Sequence, residues 1–277
     1  MRILAGIDLG EEGHDQVANW TRALAIRLSA QADLMFVLPD SARKKAFQKS
    51  CRSLDALSSG FPDEVRGQGS CERGRPVDTL VMRSEPYDAL VVGPRARGTW
   101  EQMLLGTVAA QVVRRARCPV FVCRSKPLEK GPRVLVGLDL ARKTHNRLLH
   151  HAAQWTERLG GTLDAVYVDT QRLPLIRDAS LRGAAEREME ARRARDQKFT
   201  AEQLERVPKA IRGKARVEAG GMPGTTLVGL SGGYDLLMVG SLERTGVVEH
   251  LLGSVAEYVV SRAHANVLTF PSRLHRK

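Results

Sequence analysis

The chain states one pattern twice. Arg2-Ile-Leu-Ala-Gly-Ile-Asp-Leu9 recurs as Arg133-Val-Leu-Val-Gly-Leu-Asp-Leu140, and further matches follow in the same order. Ala18-Asn-Trp-Thr21 answers Ala153-Gln-Trp-Thr156, Asp88-Ala-Leu-Val-Val-Gly93 answers Asp235-Leu-Leu-Met-Val-Gly240, and Leu104-Leu-Gly-Thr-Val-Ala109 answers Leu251-Leu-Gly-Ser-Val-Ala256. Such a tandem repeat confines the fold to two copies of one unit, each burying its apolar faces within itself or against the other. The offset is 131 residues at Asp8 and Asp139 but 147 at Gly106 and Gly253, so the second copy carries an insertion between those points.

A length of 277 residues suits two domains of ordinary size. Ser125-Lys-Pro-Leu-Glu-Lys-Gly-Pro132 is polar and rich in turn-forming residues, which divides the chain into expected repeats at 1–127 and 128–277. No apolar run reaches the ~18–20 residues that a membrane-crossing helix needs, and Met1 leads into a strand pattern without a signal peptide, so the expectation is a cytoplasmic protein with no membrane partner.

Each repeat alternates short apolar runs with helical patterns. In the first, strands are expected at Ile3–Ile7, Leu34–Leu38, Glu64–Cys71, Ala89–Val92 and Val120–Cys123, with helices at Asp15–Ser29, Ala42–Leu57, Pro76–Ser84 and Thr107–Arg115. The second follows suit, with strands at Val134–Leu138, Leu163–Val168, Ala215–Glu218, Leu236–Val239 and Asn266–Phe270 and helices at Thr144–Leu159, Ala179–Val207, Thr225–Leu230 and Ser254–Arg262. The long Ala179–Val207 helix absorbs most of the insertion. Five apolar runs separated by helices predict, in each repeat, an open, mainly parallel five-stranded sheet of Rossmann-like α/β type with helices on both faces. Gly74-Arg-Pro76 and Gly221-Met-Pro223 each turn into a third helix, where proline's fixed φ suits the first helical position.

The segment Gly240-Ser-Leu-Glu-Arg-Thr-Gly-Val-Val-Glu-His-Leu-Leu-Gly-Ser254 carries the clearest chemistry, because it follows a buried-type strand and precedes a helix. A loop so placed brings backbone amides to a phosphate, and the helix N-terminus adds oriented N–H groups and positive dipole. In these features the chain resembles the universal stress protein family, whose nucleotide-binding members carry a Gly-x2-Gly-x9-Gly-Ser/Thr loop after strand four and an aspartate at the end of strand one. The resemblance runs through both repeats. It implies that the two copies pack as an internal pseudo-dimer through their last strands, Val120–Cys123 and Val267–Phe270, with a further homodimer compatible with that arrangement. It also implies a non-enzymatic stress-response role and ATP as the candidate ligand.

Carried over by residue, the resemblance makes Asp139 the candidate adenine contact, Gly240 and Gly253 the outer loop glycines, and Ser254 the hydroxyl at the helix start, with Arg244 and Gly246 inside the loop. Asp8, Gly93, Gly106 and Thr107 correspond in the first repeat. Both copies depart from the motif at its second glycine, where Ala96 and Glu243 stand. The first repeat departs further, with Thr99 in the place of Gly246 and Pro94 beside Gly93, so the second is expected to be the better site.

Structural readings compete at the same residues. Ser254-Val-Ala-Glu257 has the form of a capping box, which accounts for the serine without a ligand, and either aspartate suits termination of a strand. A family member that has lost nucleotide binding and acts through protein contacts is the alternative function. Ser231-Gly-Gly-Tyr-Asp235 resembles the ATP-binding sequence of pyrophosphatase-loop enzymes, but it sits between a helix and the fourth strand rather than after the first strand, and reads as a helix C-cap.

The remaining titratable residues point away from catalysis and metal binding. His150 and His151 are adjacent in a helical pattern and diverge, and no nucleophile–base–acid set emerges. Cys51, Cys71, Cys118 and Cys123 lack zinc or disulfide spacing, and the last two flank Pro119-Val-Phe-Val122 as small residues of a buried strand. Glu186-Arg-Glu-Met-Glu-Ala-Arg-Arg-Ala-Arg-Asp196, with acids ahead of bases, reads as a solvated helix face. The net charge of +12 is dispersed, with one dense run at Arg114-Arg115-Ala-Arg117, and aromatic content is only 5%, so specific nucleic-acid binding is not expected.

Overall fold

The computed structural model describes residues 1–9, 14–93, 106–139, 145–171, 178–240 and 253–271. The first half runs β1 (Arg2–Gly6), α1 (His14–Leu28), β2 (Gln31–Leu38), α2 (Lys44–Ser59), β3 (Arg66–Arg73), α3 (Pro76–Arg83), β4 (Ala89–Val92), α4 (Thr107–Arg115) and β5 (Val120–Val122). The second runs β6 (Arg133–Leu138), α5 (His145–Arg158), β7 (Thr162–Asp169), α6 (Ala179–Glu205), β8 (Arg212–Ala219), α7 (Pro223–Ser231), β9 (Leu236–Gly240), α8 (Ser254–Arg262) and β10 (Asn266–Phe270). Pro76 and Pro223 open their helices as expected.

Within each half the strands are parallel, in the orders β3-β2-β1-β4-β5 and β8-β7-β6-β9-β10. The halves join where β5 and β10 pair antiparallel, Leu268 opposite Phe121, into one ten-stranded sheet. Pairing the last strands with each other leaves neither as an exposed edge, and the strand order inverts about this junction as a pseudo-twofold axis requires. Two hydrophobic layers cover the sheet, one beneath α1, α2, α5 and α6 and the other beneath α3, α4, α7 and α8, and both run through the two halves. Phe121 lies fully buried at the centre of the first layer, its ring 5.5 Å from Trp20 and 5.3 Å from Trp155.

Polar contacts also cross the junction. Asn266, fully buried, donates from Nδ2 to Ser125 Oγ at 2.9 Å and to the Lys126 carbonyl at 3.0 Å, while its Oδ1 accepts from the Arg124 amide at 3.0 Å. It therefore ties the start of the inter-repeat segment to the second half. Arg124 Nε donates to the Ala263 carbonyl at 2.7 Å, satisfying the backbone just beyond α8.

Two local readings of the sequence need correction. Gly253, in extended conformation, is the N-cap of α8, and Ser254 is already inside the helix without a side-chain capping bond, so the capping box does not form. In α6 the ion pairs Arg182–Glu186 at 3.1 Å and Arg192–Asp196 at 3.8 Å run base first, and Arg192 and Asp196 lie beside Tyr167 of β7. The remainder of α6 is largely exposed, as a solvated face should be.

Candidate functional site

In each half α1 and α2, or α5 and α6, pack on one face of the sheet and the remaining two helices on the other, so the chain changes face between β1 and β4 and again between β6 and β9. The carboxyl ends of strands at such a switch point form the crevice where open α/β sheets take ligands. Asp8 lies just past β1 and Gly93 directly after β4, while Asp139 follows β6 and Gly240 ends β9. The helices that return to the sheet start with Gly106-Thr107 and Gly253-Ser254. Both aspartates, Thr107 and Ser254 are exposed. Because β5 and β10 are antiparallel, the crevices open at opposite edges of the sheet, separated laterally by four strand spacings, about 19 Å.

The two crevices share a frame and differ in detail. Gly106 and Gly253 have matching extended backbones, φ −66° and −64°, and neither α4 nor α8 is closed by a side-chain cap. Among the described residues, no side chain caps the first N–H groups of these helices. No acidic residue lies in the first turn of α4, whereas α8 has Glu257, which pairs with Arg114 across the junction. Gly93 and Gly240 are also unequal: a Cβ on Gly93 would stand 2.3 Å from Val17 Cγ2, but one on Gly240 only meets Leu148 Cδ2 at 3.4 Å. Packing against α1 thus explains Gly93, while among the described residues a side chain on Gly240 meets only ordinary contact. Beside the second crevice, β7 ends in the buried Asp169, where β2 ends in Leu38. Its Oδ1 accepts from the Gln171 amide at 3.0 Å. Arg244, Gly246 and Glu243, like Pro94, Ala96 and Thr99, lie outside the described residues.

At the opposite strand ends sits a repeated cluster that motif reasoning passed over. Asp33 and Asp164, 5% and 9% exposed, each accept a backbone amide at 2.7 Å, from Gln68 and Lys214, and a tyrosine hydroxyl, from Tyr87 at 2.6 Å and Tyr234 at 2.8 Å. Arg2 and Arg133 lie over those tyrosine rings at 4.6 and 4.9 Å. Burial, followed by the hydrogen bond to Asp33, pushes the Tyr87 hydroxyl up to about 12. The cluster braces β2 against β3 and β7 against β8 where their registers shift, and it faces away from the crevices. Recurrence of Arg, Asp and Tyr at equivalent places in both copies was the available signal.

Ser231 and Asp235 are occupied structurally. Ser231 Oγ donates to the Val228 carbonyl at 2.7 Å and accepts from the His264 amide at 2.9 Å, and Asp235 Oδ2 accepts from the Arg133 amide at 2.8 Å. Gly232 is the C-cap of α7, as the sequence placed it. The dense basic run is matched by acids, Arg114 by Glu257, Arg115 by Asp78 at 2.7 Å and Arg117 by Glu85 at 2.7 Å. Among the described residues there is no cluster of three metal-ligating side chains and no helix long and apolar enough to cross a membrane.

Comparison with known proteins agrees with this architecture. The family model described as the Universal stress protein family matches residues 62–124 and 132–271. Universal stress proteins of Mycobacterium tuberculosis and Mycobacterium bovis are 33% identical over 203 residues, which is 70% of this chain and 65% of theirs. The chain thus spans about two thirds of the length of these curated relatives, falling slightly short of it. A second Mycobacterium tuberculosis universal stress protein is 30% identical over 223 residues, 78% of this chain and 68% of the relative. The crystal structure of a universal stress protein from Archaeoglobus fulgidus superposes with a TM-score of 0.70 at 19% identity, covering 98% of each chain. A functionally unknown protein from Pseudomonas aeruginosa gives 0.65 at 16% identity, covering 98% of this chain and 92% of its own. The chain belongs to the universal stress protein family.

Proposed function

We propose that this protein, organised as repeats 1–127 and 128–277, is a cytoplasmic, non-enzymatic stress-response module that binds ATP weakly in its second repeat. The observation that carries the reading is the open N-terminus of α8: Gly253 provides no side-chain cap and Ser254 is exposed, at a switch-point crevice bordered by exposed Asp139 and by Gly240. The first N–H groups and the dipole of a helix suit a phosphate, so this frame fits the ligand. In this reading Ser254, Gly253, Gly240, Gly246 and Arg244 hold phosphates, and Asp139 accepts a hydrogen bond from the adenine amino group. The first repeat, through Asp8, Gly93, Gly106 and Thr107, is the weaker site, because Pro94, Ala96 and Thr99 replace flexibility that the loop needs.

Glu243 favours a second reading, in which the fold is retained for protein contacts and nucleotide is no longer bound. Its carboxylate replaces a motif glycine with bulk and with charge of the wrong sign. Mass spectrometry of small molecules released from freshly purified protein separates the two. An adenine nucleotide that co-purifies or rebinds saturably, with ATP affinity lost in Asp139→Ala, is expected; protein that neither retains nor rebinds ATP would favour the second reading. The paired arginines of the basic run favour neither a DNA nor an RNA partner, and any retention on DNA should fade steeply with salt.

A further inference from the structure

Cys51 of α2 and Cys71 of β3 form a facing pair that neither the fold nor the proposed nucleotide site uses. Their placement follows a ladder between helix and strand. Ser58 Oγ donates to the Gly67 carbonyl at 3.3 Å, and a Cβ on Gly69 would stand 3.1 Å from Asp55 Oδ1, so Ser58 lies over Gly67 and Asp55 over Gly69. One further turn back along α2 and two residues forward along β3 sets Cys51 over Cys71. Side-chain-free Gly69 lets the helix approach closely. Burial, followed by the influence of neighbouring Cys51, pushes the Cys71 thiol up to about 12. Both cysteines are free and only half-buried, unlike Cys118 and Cys123, which are buried.

The second repeat shows that the pair is dispensable for folding. At the equivalent places stand Gln197 and Val217, with Gln197 Nε2 donating to the Ala215 carbonyl at 3.0 Å, and the same helix–strand packing forms without sulfur. Gly213 keeps the counterpart of Gly67, whereas Ala215 replaces Gly69.

We propose that Cys51 and Cys71 are a peroxide-oxidisable dithiol that closes to a reversible intramolecular disulfide, pinning α2 to the outermost strand of the first repeat. The Cys51 thiolate attacks one oxygen of hydrogen peroxide, giving a sulfenic acid and releasing hydroxide. Cys71 sulfur then displaces that oxygen as water, and its proton leaves with it. Two thiols lose two electrons and two protons in all, and one peroxide becomes two waters. In this assignment Cys51 initiates and Cys71 resolves.

The test treats the reduced full-length protein with a small excess of hydrogen peroxide, blocks remaining thiols with iodoacetamide and maps peptides. The expected product is a single intramolecular Cys51–Cys71 link, lighter by the mass of two hydrogens, reversed by dithiothreitol, with Cys118 and Cys123 alkylated only after denaturation. Oxidised protein should melt about 5 °C or more above reduced protein, because the link restrains the unfolded chain. In Cys71→Ser, Cys51 should accumulate as a sulfenic acid that dimedone traps. Wild-type protein whose Cys51 and Cys71 both remain alkylatable after peroxide, or in which Cys51 overoxidises without linking, overturns the proposal.

Discussion

Gly93→Ala and Gly240→Ala place the same methyl group at equivalent points of the two repeats, and the structure predicts opposite outcomes. At position 93 the new Cβ would lie 2.3 Å from Val17 Cγ2. Val17 cannot swing aside, since it is buried against the sheet and a β-branched side chain in a helix is largely confined to one χ1 rotamer. Helix α1 must move instead. Overpacking of this kind costs about 1–3 kcal/mol, and a clash with a stiff partner belongs in the upper half of that range. At roughly 2–4 °C per kcal/mol for a chain of this size, Gly93→Ala should melt about 4–12 °C below wild type. At position 240 the contact with Leu148 Cδ2 is an ordinary 3.4 Å, so the melting temperature should stay within about 2 °C. Combining Gly93→Ala with Val17→Ala should recover at least ~1 kcal/mol relative to the sum of the single changes. Urea and thermal unfolding followed by circular dichroism decide the matter. Equal losses in the two single variants, or none in Gly93→Ala, would refute the packing account.

Three further outcomes follow from individual contacts. Ser29 ends α1 with φ +47°, where the matching Gly160 after α5 has φ +62°, so Ser29→Gly should stabilise the chain by about 1 kcal/mol, seen as a rise in urea midpoint. Phe121→Ala removes the ring held between Trp20 and Trp155 and should cost about 3–5 kcal/mol in urea unfolding, with a loss under ~1 kcal/mol speaking against a shared core. Tyr87 binds its proton more tightly in the folded chain, so its contribution is complete below about pH 10 and is lost as pH rises through about 12. Thermal melts across that window should fall less steeply in Tyr87→Phe than in wild type.

Much of this fold is readable from residues alone, because a parallel sheet covered on both faces needs near-continuous apolar strands. Ala89–Val92 is such a run, and it is buried at every position. The junction followed from the family resemblance, and it agrees with two copies whose last strands each leave an edge that the other can cover. Local polar geometry was less legible. Ser254 and Glu257 satisfy the spacing of a capping box, yet the helix begins one residue earlier than that motif requires, because Gly253 takes the extended cap position. The Asp33 and Asp164 braces escaped notice because a lone carboxylate inside a strand carries no motif. Its amide and tyrosine partners, Gln68 with Tyr87 and Lys214 with Tyr234, are distant in sequence. The unequal roles of Gly93 and Gly240 depend on which helix side chain lies above each, Val17 or Leu148, a tertiary fact that identical motif positions conceal.

The central claim concerns the second crevice, and calorimetric titration of ATP into wild-type protein, Asp139→Ala and Glu243→Gly tests it most directly. The account predicts weak saturable binding to wild type, loss of that binding in Asp139→Ala, and at least about tenfold tighter binding in Glu243→Gly, equivalent to ~1.4 kcal/mol, as bulk and negative charge leave the phosphate loop. Unchanged or weaker affinity in folded Glu243→Gly, or wild-type affinity retained in Asp139→Ala, would contradict it.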